Sequence, residues 1–116
     1  MSSSLGETLR RIQGDFPLVP PADVARARIL DVPFLTPGVA AMTLGHLILL
    51  RRDHADDGAL LAHELVHVRQ WRELGAVRFL WRYLGSYARS RAAGLGHQRA
   101  YEAIPLEVEA RTLAGR

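Results

Sequence analysis

At 116 residues and 12.9 kDa the chain is sized for one domain around a single core. Its 48% hydrophobic and 23% charged residues exclude a largely disordered, collagen-like or coiled-coil protein. The net charge is +3 with every basic residue an arginine, and cysteine is absent, which excludes disulfides, thiolate nucleophiles and sulfur-liganded metal sites.

Residues 1–23 contain Ser2-Ser3-Ser4, Gly6, Gly14, Pro17, Pro20 and Pro21, and read as a loosely ordered lead with one short helical stretch at Leu5–Ile12. Residues 24–116 read as the single packed domain. No apolar run approaches the roughly 18 residues of a spanning helix. No apolar stretch follows Arg10-Arg11 as a secretory signal requires, so a cytoplasmic chain is the expectation. Val24 to Leu35 alternates well enough for a strand closed by Pro33 and Pro37-Gly38. Val39–Leu44 and Leu47–Arg51 flank Gly45-His46 and predict a hairpin with a Gly-initiated turn, in which His46 is a turn residue.

Asp53 to Gly58 is a polar loop in which Asp56 or Asp57 can cap the next helix. That helix is expected over Ala59–Leu74, stopping at Gly75. A second spans Ala76–Ala92, with Val77, Leu80, Trp81, Leu84 and Ala88 on one face and Arg78, Arg82 and Arg89 nearly opposite, an amphipathic pattern. Gly94 and Gly96 end it. A short third helix starts at Pro105 and reaches about Leu113. The expected fold is α+β: a small N-terminal antiparallel sheet or hairpin, then a metal-binding helix and two further helices.

The metal-binding helix is singled out by His63-Glu64-Leu65-Val66-His67, an H-E-x-x-H pattern. Residues four apart lie one turn apart on the same face, so both imidazoles can converge on one ion. Glu64 is rotated by about 100° from His63 and points beside that ion, where it can take a proton from a bound water without occupying a coordination position. His63 and His67 lie nearly opposite the Leu61, Leu65, Val68 stripe, so they are not simply core positions filled by histidine. A catalytic zinc requires a third protein ligand. His97, Glu102, Glu107 and Glu109 are the downstream candidates, and periodicity cannot choose between Glu107 and Glu109.

HELVH followed by a helical hairpin and Glu107-Val-Glu109-Ala110 resembles the gluzincin metallopeptidases, and the short chain resembles the single-domain minigluzincins. The resemblance spans roughly residues 24–114. It implies Zn²⁺ held by His63, His67 and Glu107, with Ala110 as the small residue three positions on. It also implies hydrolysis of a peptide or protein substrate lying along an edge strand, which the Val39–Arg51 hairpin is placed to supply. Arg111 stands where the family often has an aspartate, leaving Gln70, a backbone carbonyl or Glu109 to orient a histidine. Tyr101 and His97 are the candidate donors to a developing oxyanion.

Two other readings compete with the peptidase. One is a zinc-binding domain without catalysis. The other is an Arg-rich module for nucleic acid or a membrane surface, carried by Arg69, Arg72, Arg78, Arg82, Arg89, Arg91 and Arg99 with Trp71, Trp81 and Tyr83 among them. The plain alternative for that stripe is a solvated helix face.

Overall fold

The computed structural model describes residues 19–35, 39–54 and 56–115; the Leu5–Ile12 helix and the Pro37-Gly38 strand end lie outside these. The elements in chain order are α1 (Pro21–Arg26), β1 (Arg28–Val32), β2 (Ala41–Leu44), β3 (Leu47–Arg51), a 3-10 turn (Arg52–His54), α2 (Gly58–Ala92), α3 (His97–Glu102) and α4 (Pro105–Ala114). The α+β architecture expected from the sequence is therefore the one observed: a three-stranded sheet, then a long helix and two short ones.

The first part of the predicted Val24–Leu35 strand is helical. Pro20 and Pro21 fix φ in the range a helix start needs, and Pro21 occupies a first-turn position where its missing N–H costs nothing. α1 thus takes Val24 and Arg26, and the strand begins only at Arg28. β1 then pairs parallel with β3, while β2 and β3 form the expected antiparallel hairpin, giving a mixed sheet in the order β1-β3-β2. Gly45 has φ 66° at the first turn position, as a type II′ hairpin turn requires. β2 is consequently an edge strand.

β3 alternates strictly, burying Ile48 and Leu50, and Ile48 packs in one cluster with the aliphatic residues of α2. The core joins Val19 and Val24 around α1, Ile48 of the sheet, Leu61, Leu65, Val66 and Val68 of α2, and Ala110 of α4. Asp23 is buried in the same region, and its Oδ1 accepts from Arg72 Nε at 2.5 Å, tying α1 to α2. Asp57 Oδ1 accepts from Leu60 N at 3.1 Å and caps α2 as anticipated. Leu60 to Val68 are all buried, so this helix is enclosed on every side: its aliphatic stripe packs on the sheet and α1, and its histidine face meets α4.

The two predicted helices meet without a loop at Gly75, where φ is 77° and ψ 163°. This conformation is essentially restricted to glycine. A Cβ added there would meet nothing within 4 Å, so the constraint is the backbone and not crowding. Gly75→Ala is expected to lower stability by about 1–3 kcal/mol, read as a fall in the denaturant midpoint. An unchanged midpoint would show that the surrounding packing does not hold the bend.

Beyond the bend, the side of α2 that turns inward is Phe79, Tyr83 and Ser86, not the predicted apolar stripe. Phe79 stacks on Trp71 with ring centroids 4.2 Å apart and on Tyr83 at 5.5 Å. The stripe itself faces outward. Bending the chain at Gly75 resets which face meets the first arm, so amphipathicity within the second arm does not identify its packed side.

Candidate metal centre

His63 and His67 come from the first arm of α2, and Glu107 comes from the first turn of α4, which lies across that arm. All three are buried. One donor atom from each lies within 4.8 Å of the others, a group that could hold a metal ion. His63 Nε2 donates to Glu107 Oε1 at 2.8 Å, and His67 Nε2 lies 3.1 Å from Glu107 Oε2. Glu107 is thus brought to both histidines. Glu109 is half exposed and points elsewhere, toward Arg69 Nη2 at 2.7 Å. Glu102 pairs with Gln98 on the surface, and its carbonyl accepts from Arg111.

The tautomer of His67 follows from its neighbours. Gln70 Nε2 donates to Glu109 Oε1 at 2.6 Å and to Leu106 O at 3.1 Å, so Gln70 Oε1 is the atom facing His67 Nδ1, 2.8 Å away. Nδ1 must therefore carry the hydrogen. In the neutral ring Nε2 is left with a lone pair, and this buried atom has no hydrogen-bond partner although Glu107 Oε2 is near. A lone pair facing a carboxylate favours a cation between them. Burial works against charging His67, but the facing Glu107 carboxylate, 3.1 Å from Nε2, outweighs burial and raises the imidazole pKa. Burial also opposes ionisation of Glu107. The facing imidazoles of His63 and His67, and then the hydrogen bond from Tyr83, outweigh it and hold the carboxyl well below its usual range. Two imidazole nitrogens, that of His67 oriented from behind by Gln70, and a carboxylate oxygen form a donor set that could hold a metal ion.

Glu64 is buried beside this group without joining it. Its Oε1 accepts from Thr43 Oγ1 on β2 at 2.8 Å. Burial is the main influence on its carboxyl and pushes the pKa up, against the lowering effect of His67 and of the Thr43 hydrogen bond. Thr43 thereby places the β2 edge next to Glu64.

Tyr101, on α3, sits in the fields of Glu107 and Glu64; burial first and those charges next push its phenol pKa up. His97 is not brought to the cluster. Its Nδ1 is 2.9 Å from the Tyr87 hydroxyl on an exposed part of the surface. Tyr83 went unrecognised in the sequence as a site residue. Its hydroxyl donates to Glu107 Oε2 at 2.5 Å and fixes the carboxylate. The spacing of Phe79 and Tyr83 was the available signal, an aromatic pair at i, i+4 whose rings stack on the side that packs inward.

The eCIS core domain family matches residues 34–75, roughly a third of the chain. That stretch runs through the hairpin and the first arm of α2, includes His63, Glu64 and His67, and ends at the Gly75 bend without reaching Glu107. No curated protein and no solved structure matches the chain.

Proposed function

We propose that the protein is a zinc-dependent peptidase. The observation that carries this reading is the convergence of His63, His67 and Glu107 on one buried point, with the Glu64 carboxylate held beside them by Thr43. When bound there, zinc supplies Lewis acidity, lowering the pKa of a coordinated water toward about 7 and polarising a carbonyl.

The chain's own residues supply the rest. Glu64 is poised as the base by burial and returns its proton to the leaving amine. Gln70 fixes the His67 ring so that Nε2 faces inward, and Glu109 and Leu106 O hold Gln70 in turn. This relay takes the place of the aspartate that Arg111 replaces. Tyr101 is the donor for the developing oxyanion, its raised pKa keeping the hydroxyl protonated. A peptide entering as an extended strand pairs with the outer edge of β2, which is unpaired among the described residues, and this brings its carbonyl past Thr43 toward Glu64.

The test is metal content and its coupling to stability. Protein purified without a histidine tag and supplied with zinc is expected to hold one zinc per chain. A ligand at about 100 times its dissociation constant adds roughly 2.7 kcal/mol to the folded state, so a chelator should lower the melting temperature by several degrees. Zinc content near zero would remove the catalytic reading.

A further inference from the structure

The outer face of the second arm of α2 is apolar and unusually exposed: Val77 82%, Trp81 80%, Leu84 57% and Leu80 42%. These side chains, with Gly85 and Arg89, line one shallow surface groove. Arg78, Arg82 and Arg89 fall about 100–140° around the helix from the centre of the stripe, where their long side chains can reach back toward it, Arg91 follows at its end, and all are exposed. Between Ala76 and Ala92 there is no acidic residue. Among the described residues none of these four arginines has a carboxylate partner, whereas Arg69 and Arg72 are taken up by Glu109 and Asp23.

We infer that this arm is a docking surface for an anionic lipid bilayer. An apolar stripe with a tryptophan, bordered by arginines on long stems, is the pattern of a helix lying in the interface plane: the stripe enters the acyl boundary and the guanidinium groups reach the headgroups. No helix among the described residues is long and apolar enough to cross a membrane, so the mode is peripheral. A second copy of the chain fits less well. An isologous contact through this face would bring its arginines against their own copies with no acid to offset them. Nucleic acid would engage the arginines and leave Val77, Leu80 and Leu84 with nothing to bury against. The opposite side of the same arm carries Tyr83 on Glu107, so a docked arm sets the metal centre close to the bilayer surface.

The test is co-sedimentation of the zinc-supplied full chain with vesicles of mixed phosphatidylserine and phosphatidylcholine, against phosphatidylcholine alone. Binding to the mixed vesicles is expected, with a blue shift in tryptophan emission that Trp81→Phe removes without abolishing binding. The triple variant Arg78→Gln/Arg82→Gln/Arg89→Gln should weaken binding by about a hundredfold, at roughly fivefold per arginine. The double variant Val77→Ser/Leu84→Ser should weaken it at unchanged charge. All five positions are exposed, so circular dichroism and melting should match the parent. Failure to bind the mixed vesicles, equal binding to neutral ones, or indifference to both variants overturns the proposal. Two further results also overturn it: a solution dimer broken by Leu84→Ser, and DNA binding that needs the arginines but not the apolar pair.

Discussion

Glu64→Gln is expected to leave zinc content unchanged and to reduce peptide hydrolysis by roughly 10²–10⁴-fold, the range associated with a positioned general base. The substitution is nearly isosteric, and the glutamine oxygen can still accept from Thr43 Oγ1. What it removes is the ability to take a proton. Burial raises the Glu64 pKa, moving a carboxylate toward the neutral range where a base works best. The measurement pairs zinc analysis with cleavage of a fluorescence-quenched peptide mixture. Hydrolysis that survives with zinc in place would strip Glu64 of the role. Loss of zinc would instead make Glu64 a ligand.

The parts of this site that lie close together in sequence were legible there. His63, Glu64 and His67 share one helix, whose period alone places both imidazoles on one face. The hairpin declared itself through Gly45, the end of the first arm through Gly75, and α4 through Pro105. What required the fold was the packing between elements. Glu107 and Glu109 flank the same stripe of α4, so periodicity left them level and only the family resemblance favoured Glu107. The way α4 crosses α2 directs Glu107 to both histidines while Glu109 turns to Arg69 and Gln70. Tyr83 was hidden for a related reason. Its arm has a well-defined apolar stripe, and the bend at Gly75 turns that stripe outward and the aromatic pair inward, so local amphipathicity pointed to the wrong face. The parallel pairing of β1 with β3 was equally invisible, since alternation specifies a strand's faces and not its neighbour's direction.

The carboxylate that completes the donor set gives the other large effect. Glu107→Gln is expected to lose zinc at concentrations that saturate the parent, a drop exceeding the roughly 10–100-fold that losses in the outer shell of a metal site cost. The choice of glutamine separates metal binding from folding. Glu107 is buried and receives hydrogen bonds from His63 and Tyr83, so truncation to alanine would strand those donors at about 1–3 kcal/mol each. Glutamine keeps the volume, its oxygen can accept from His63 and its amide N–H can donate to the Tyr83 hydroxyl, which can accept as well as donate, but it carries no negative charge and is a poor partner for a dication. The apo variant should therefore melt near the apo parent, while the rise in melting temperature on adding zinc should disappear. Glu109→Gln serves as the matched control. It leaves His63, His67 and Glu107 in place and weakens only the support behind Gln70, so its zinc affinity should fall within the outer-shell range. If Glu107→Gln still bound one zinc per chain and Glu109→Gln did not, the carboxylate ligand would have to come from the other side of α4, and the helix would have to rotate to deliver it.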